Sequence, residues 1–392
     1  MLPIQLDYQA TTPCAPEAME AMMPYWSTLW ANPSSRQHGA GLKSSAAVQL
    51  ARERLGACLG VAPERLIFTS GATEANNLAL LGHARAMARQ RGTPGHLVTL
   101  RTEHHSVLNP MRQLRREGFR LTEITPEPTG LVDPDQFSAA VEADTLLVSV
   151  MAANNEIGVL QPLQRLAAIC RQRGVTLHSD AAQAFGHCPL NPDQIGIDLL
   201  SLSAHKLYGP KGIGALLIRE DLQIDPLHWG GLQERGLRPG SLPVPLIIGF
   251  ARAAELAIAD LNERGARLFK LREYLWQGLQ ERIPGLVLNG CLEQRLSHNL
   301  NFSIPGVRGA ALHRALRRQI YCGSGSACSQ GRPSHVLLIL GRSPAEAEAS
   351  LRLSLGRQTE IAEIEAAIDV ISEAVAKLRN LHRNEISNDS RQ

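Results

Sequence analysis

The sequence predicts an α/β fold, with a mostly parallel central sheet in a large domain and a smaller α+β domain after it. Three observations predict it. Short apolar runs of strand length alternate with stretches of helical periodicity over the first half of the chain, the pattern of a sheet wound by crossover helices. Clusters of polar residues fall directly after several of these runs, where such sheets hold their ligands. Pro239, Pro243 and Pro245 then break the alternation, and a different rhythm follows them.

In chain order, the strand candidates of the large domain are 65–69, 96–100, 145–150, 176–178, 199–202 and 214–218. The helix candidates are 44–59, 74–91, 106–117, 134–142 and 163–173. Beyond the prolines, a long helical stretch covers 246–282. The remainder offers strands at 285–288, 297–303 and 350–354, with helices at 308–318 and 359–380. This divides the chain into an N-terminal segment, 1–14, expected to pack with the small domain; a large domain, 15–260; and a small domain, 261–380. The Gly/Ser-rich loop at 322–335 is expected to be mobile, and the polar tail 381–392 to be disordered.

The chain has 392 residues, enough to bury a large core. Its 40 basic and 37 acidic residues leave a net charge of +3, too weak to argue for nucleic acid or membrane binding. No apolar run is long enough to span a bilayer, and Asp7 stands where a signal peptide would be basic and then apolar. The seven cysteines are scattered, with neither a CxxC pair nor a Cys/His zinc spacing. They read as free thiols in a reducing cytoplasm, with no metal site.

Five polar clusters carry the chemistry. Ser203-Ala204-His205-Lys206 follows an apolar strand, so Lys206 is shielded from water. A desolvated lysine loses proton affinity and can form a Schiff base with an aldehyde; the plainer reading is an exposed loop lysine. In Thr69-Ser70-Gly71-Ala72-Thr73-Glu74 a strand ends, Gly71 turns, and a helix begins whose first amides can hold a phosphate. An ordinary capped helix is the alternative. Asp180 ends a buried strand, which calls for a cationic partner such as a protonated pyridine nitrogen. Gln183 lies on the same side and can donate to a phenolate oxygen, although an Asp there can also simply cap a helix. His104, after the strand 96–100, can stack on an aromatic ring and move protons, whereas His105 reads better as a surface residue. Asn154 and Asn155 follow the strand 145–150 at the same sheet edge. Finally, Cys328 sits in the Gly/Ser loop with Arg332 nearby to favour the thiolate. Cys322, after Ile320-Tyr321, reads as a packed small residue. An acid for a ring nitrogen, an amide cup for a phosphate, a stacking imidazole and a Schiff-base lysine together suit one cofactor, pyridoxal phosphate.

On these residues the chain resembles the cysteine desulfurases of the IscS/NifS group, in the class V aminotransferase superfamily with the fold type I architecture. The resemblance runs from Leu6-Asp-Tyr-Gln-Ala-Thr-Thr-Pro13 to about residue 375. Its motifs include Thr69-Ser-Gly-Ala-Thr-Glu74, Thr102-Glu-His104, Asn154-Asn-Glu-Ile-Gly158, Asp180-Ala-Ala-Gln183 and Ser203-Ala-His-Lys206. They continue with Glu234-Arg-Gly, Arg238, Gly240, Ser324-Gly-Ser-Ala-Cys328 and Arg352-Leu-Ser-Leu-Gly356. The resemblance implies that Lys206 holds the cofactor, Asp180 pairs with its ring nitrogen, Gln183 contacts the ring oxygen and His104 stacks on the ring. It assigns the phosphate to Ala72, Thr73, Ser203 and His205, closed by a hydroxyl lent by a partner subunit. Ser241 fills that place here, so a homodimer is implied. Asn155 and Arg352 match the residues that hold the substrate carboxylate, and Cys328 matches the cysteine that receives sulfur.

The implied function is conversion of L-cysteine to L-alanine, with sulfur passed to Cys328 as a persulfide. From there it goes to a sulfur-acceptor or iron–sulfur scaffold protein in the cytoplasm. Two departures stand out: Pro239 and Ser241 replace the more usual Ser and Thr, and the loop after Cys328 is about two residues short. The tail also lacks the longer extension with which some relatives dock scaffold proteins. Alternatives are a selenocysteine lyase, another class V enzyme such as an aminotransferase, or a silent scaffold that kept the fold. The Gly/Ser loop with Cys328 argues against a plain aminotransferase, and the joint presence of Lys206, Asp180 and Cys328 argues against a scaffold.

Overall fold

The structure is a computed structural model that describes residues 3–324 and 333–389, with side chains as far as 381. Cys328 lies outside the described residues. The chain opens with a short strand, β1 (Ile4–Gln5), and then builds seven strands: β2 (Leu66–Thr69), β3 (His96–Leu100), β4 (Arg120–Ile124), β5 (Thr145–Ser149), β6 (Thr176–Asp180), β7 (Leu199–Ser203) and β8 (Gly214–Ile218). They form one sheet in the order β2-β8-β7-β6-β5-β3-β4. Only β8 runs against its neighbours, antiparallel to both β2 and β7, so the sheet is mostly parallel as the sequence predicts.

Every residue of β2, β3, β5, β6, β7 and β8 is buried, because helices cover both faces. One face packs against the Gly39–Leu59 and Val244–Ala259 helices, with Leu55, Leu59, Ile247 and Phe250 in the core. The other packs Leu78, Ala79, Val107 and Met111 against Leu97, Leu147 and Leu216. The edge strand β4 is absent from the sequence-based expectation. Its five residues carry Arg120 and Glu123, and only Ile124 is buried, so it lacks the apolar run that marks the inner strands.

The second unit has its own core, built by Leu275, Trp276, Phe302, Leu353, Ile364 and Ile371. Its strands are β9 (Val287–Leu288), β10 (Asn299–Ser303), β11 (Ile320–Tyr321) and β12 (Ser350–Ser354), with β10 at the centre of an antiparallel β12-β10-β9 sheet. β1 pairs in parallel with β11, and Leu6 is buried in this second core.

Two element boundaries differ from expectation. The stretch 246–282 is two helices, Val244–Ala259 and Leu261–Arg282, which break at Asp260. Arg264 supplies the reason: its guanidinium is ion-paired to Asp260 and donates to the carbonyls of Ala257 (2.9 Å) and Gly186 (2.5 Å), capping the end of the first helix. The last helix, Ile361–Asp389, continues into the stretch expected to be a disordered tail. It contains neither Gly nor Pro, so nothing in its sequence breaks the helix.

Candidate active site

The carboxyl ends of the parallel strands deliver the polar clusters to one place. They line a cavity of about 440 Å³. Ala72, Thr73, His104, Asn155, Asp180, Gln183, Ser203, His205, Lys206 and Arg352 all face it. Ser241 does not line the cavity of its own chain and is exposed.

Lys206 ends a single helical turn, Ala204–Lys206, directly after β7. Its Nζ donates to the carbonyl oxygens of Gln9 and Ala10, both at 2.8 Å. The backbone of the lysine is held as well, because His187 Nε2 donates to the Lys206 carbonyl at 2.8 Å. Burial pushes the His187 imidazole down to about 4, so it is a neutral ring with its proton on Nε2.

Asp180, the last residue of β6, is buried. Its Oδ1 accepts from the Ala182 amide at 2.9 Å and its Oδ2 from Asn76 Nδ2 at 2.7 Å. Gln183 donates to the Gln9 carbonyl at 3.1 Å and remains on the cavity wall. His104 caps the His105–Arg116 helix: its Nδ1 accepts from the Ser106 amide at 3.1 Å and lies 2.7 Å from Ser106 Oγ. Burial lowers the His104 pKa, against the pull of Asp180 and with the push of His105 and Lys206. His105 turns away and packs against His335, with ring centroids 4.7 Å apart.

At the far end, Gly71 precedes a helix that starts at Ala72 and continues through a wide turn, Leu78–Gly82, to Arg91. Gly71 has φ 148°, a conformation that favours glycine, and a Cβ there would point into open space. The first helical amides, Ala72 and Thr73, have no intrahelical acceptor and face the cavity. Burial pushes His205 down to about 4; its Nδ1 lies 3.0 Å from Thr11 Oγ1, which leaves a neutral ring beside the helix end.

These features fit pyridoxal phosphate. The cavity has an amide-lined end with room where a Cβ would be, which suits a phosphate. It has a buried carboxylate for a ring nitrogen, a neutral imidazole for the ring face, and an amine at the remaining wall.

Arg352, in β12, closes the cavity on the other side. Nearly all of its guanidinium is buried; it donates to Asp7 Oδ1 at 2.7 Å and to the Asn155 carbonyl at 2.9 Å, while Nε has no partner. It presses so closely on Gly323 that a Cβ there would fall 2.9 Å from Nη2. Cys322 is packed, as expected from sequence, and burial pushes its thiol up to about 12.

The motif Glu234…Arg238 proves to be an anchor. Glu234 is held by Arg52 and accepts from the Phe68 amide at 2.6 Å, with its own backbone left-handed at φ 47°. Arg238 donates to Glu74 at 3.0 Å. Burial pushes Glu74 up, but hydrogen bonds from Ser70 and Arg238 outweigh it and hold the carboxyl below its usual value. The loop bearing Ser241 is thereby tied to β2 and to the start of the phosphate-end helix.

Sequence reasoning gave no role to Gln9, Asn76, Ser106 or Asp7. Gln9 acts at the cavity through its backbone carbonyl, which no side-chain pattern reveals. Asn76 lies within a helix, where a polar residue ordinarily reads as solvent-facing, and its partners are 30 and 104 residues away.

The chain matches the family model for aminotransferase class-V over residues 4–367. It is 44% identical over 384 residues to the cysteine desulfurase IscS of Rickettsia typhi, covering 97% of this chain and 93% of that one. Its similarity to the cysteine desulfurase IscS of Methylobacillus flagellatus is 44% identity over 383 residues, 97% of this chain and 94% of the relative. Among solved structures it is similar to a NifS-like protein, with TM-score 0.90 and 34% identity over 96% of this chain and 100% of that one. A structure described as SspA in complex with cysteine matches with TM-score 0.78 and 35% identity, over 90% of this chain and 98% of that one.

Proposed function

The chain belongs to the class V aminotransferase family and is a pyridoxal-phosphate-dependent cysteine desulfurase, and from that premise we propose the following roles for its residues. Bound pyridoxal phosphate supplies an aldehyde carbon and a ring that withdraws electrons from the substrate's α-carbon. Lys206 Nζ holds that aldehyde and, as a free amine, takes the α-proton. Asp180 orients the ring nitrogen, Gln183 the ring oxygen, and the neutral His104 packs on the ring face. Ala72, Thr73, Ser203 and His205 hold the phosphate, which keeps anchoring contacts away from the reacting carbons. Arg352 and Asn155 receive the carboxylate of L-cysteine. Cys328 Sγ, as a thiolate, would bond to the substrate's sulfur as the substrate's Cβ–Sγ bond breaks; the electron pair of that bond would stay with the carbon, which takes up protons and leaves as alanine.

The observation that carries these roles is that Lys206, Asp180, His104 and the Gly71–Thr73 turn, from four strand ends, meet in one cavity. Ser241, exposed on an anchored loop, supports a homodimer in which each subunit lends a hydroxyl to the other's phosphate. The names of the relatives support delivery of sulfur to iron–sulfur assembly through an acceptor or scaffold protein. Among the described residues no helix is long and apolar enough to cross a membrane, and free thiols support a cytoplasmic site of action. The large domain at 15–260 and the small domain at 261–380, with residues 1–14 packed on the latter, are the units in which we read this enzyme.

Incubating the enzyme with L-cysteine should give alanine, and fragmenting the digested peptide that carries both Cys322 and Cys328 should place one extra sulfur on Cys328. Sulfur on Cys322 within that peptide, or a keto acid in place of alanine, would overturn the assignment.

A further inference from the structure

Asn76 is wholly buried, and its side-chain amide spends both N–H bonds on active-site groups. One goes to Asp180 Oδ2 at 2.7 Å and the other to Ser106 Oγ at 2.8 Å. Its Oδ1 is left buried with no partner among the described residues. A buried acceptor without a donor is costly, and turning the amide over would only set oxygen against the Asp180 carboxylate. An apolar residue would carry no such orphan. The burial of an asparagine here is therefore explained by its two donors.

The donors fix a chain of protons. Ser106 Oγ accepts from Asn76, so its own hydrogen is free to point to His104 Nδ1, 2.7 Å away. The Ser106 backbone N–H also donates to Nδ1, and an amide can only donate. Nδ1 is thus an acceptor twice over, and the neutral imidazole carries its proton on Nε2.

We infer that Asn76 is a positioning residue that couples the orientation of the Asp180 carboxylate to the hydrogen bonding at His104 Nδ1 through the Ser106 hydroxyl. One amide sets the group beneath the ring nitrogen and the group on the ring face together. The inference rests on the reading that Asp180 and His104 contact the cofactor. The lowered pKa of His104 agrees with a ring that stays neutral.

The test uses the loaded enzyme, with Asn76→Ala, Ser106→Ala, Ser106→Thr and the double Asn76→Ala/Ser106→Ala variant. The readouts are kcat and KM for cysteine, cofactor Kd, and the 15N shifts of His104, identified by difference from His104→Gln. Asn76→Ala should lower kcat about tenfold or more while KM changes by less than about threefold, since misplacement rather than binding is at stake. It should also shift the His104 Nδ1 resonance, because the Ser106 hydroxyl loses its fixed direction while the backbone N–H keeps Nδ1 an acceptor. Ser106→Ala should disturb His104 in the same sense, Ser106→Thr should restore it, and the double variant should be no slower than Asn76→Ala alone. Multiplying effects in the double variant, or a fall in melting temperature with unchanged His104 shifts, would overturn the coupling. If Asn76→Ala does not fold, the contrast between Ser106→Ala and Ser106→Thr still decides: identical His104 shifts in the two overturn it. Should Asp180→Asn leave cofactor spectrum and turnover unchanged, the reading of the site itself fails, and the coupling with it.

Discussion

Arg352 and Asp7 form an ion pair 2.7 Å long in which the arginine is almost wholly buried and the aspartate partly exposed. The pair aims the guanidinium past Gly323 into the cavity, with Asn155 accepting from its other arm. In the proposed role a substrate carboxylate would add charge-assisted hydrogen bonds there, each worth about 1.5–3 kcal/mol. Arg352→Gln should therefore raise KM for cysteine by about tenfold or more, with cofactor affinity unchanged. Equal losses of cofactor and substrate binding, measured by titration, would show that the residue is only structural.

Lys206→Ala should remove the visible absorbance of the covalently held cofactor and all turnover. Lys211, the other lysine on the cavity wall, follows a Gly-Pro turn and is exposed. Borohydride reduction followed by peptide mapping checks this. A labelled Lys211 peptide in the variant would move the attachment site.

Asp180→Asn should slow α-proton removal far more than it weakens cofactor binding, because the phosphate end keeps its contacts at Gly71–Thr73. A primary deuterium isotope effect on α-deuterated cysteine, larger in the variant than in the wild type, is the expected result. Parallel falls in rate and cofactor affinity count against the role.

Ser241→Ala should weaken cofactor retention, by about 1.5–3 kcal/mol for one charge-assisted bond, without abolishing covalent attachment. A mixed dimer of Ser241→Ala with Lys206→Ala subunits contains one site with both groups intact. It should hold cofactor better than the Ser241→Ala homodimer, and a mixed dimer that does not would show that the site is not shared.

Stability should fall in acid. His178 is fully buried between Ser149 and Ser201, and burial pushes it down to about 3. Unfolded, it titrates at its ordinary value of about 6.5. Between these values the unfolded chain binds the extra proton, so stability rises with pH and is lost as pH drops from about 6.5 toward 3. At pH 4 this one residue costs on the order of 3 kcal/mol relative to neutral pH. Calorimetry of His178→Gln should show a flatter melting temperature against pH; an unchanged slope would contradict the argument.

The sheet and the cofactor end of the site could be read from the chain because both rest on local pattern. β6 and β7 are apolar runs followed at once by Asp180 and Lys206, and Gly71 stands where a strand turns into a helix. What escaped reading depends on distant pairing. The strand β4 is stabilised by its neighbour β3 rather than by apolar content. The break at Asp260 comes from Arg264 reaching back to carbonyls, including one at Gly186. Asn76 gains its meaning from Ser106 and Asp180, brought near only by the fold.

The carbonyls that grip Lys206 belong to residues 9 and 10; the large unit holds this segment through Gln183 and the Thr12–His205 contact, and the other end of the chain holds it as well. Gln9 donates its amide to Ser354 Oγ at 2.8 Å, and Ile4 pairs with Ile320. During synthesis the contacts with that far end wait until more than nine-tenths of the polypeptide, through Ser354 of 392, has emerged: Gln9 donates to Ser354 Oγ. The large sheet and its own hold on residues 9–12 can form earlier, but the lysine's seat is complete only then. Completion of the lysine's seat is thus a late step in biogenesis.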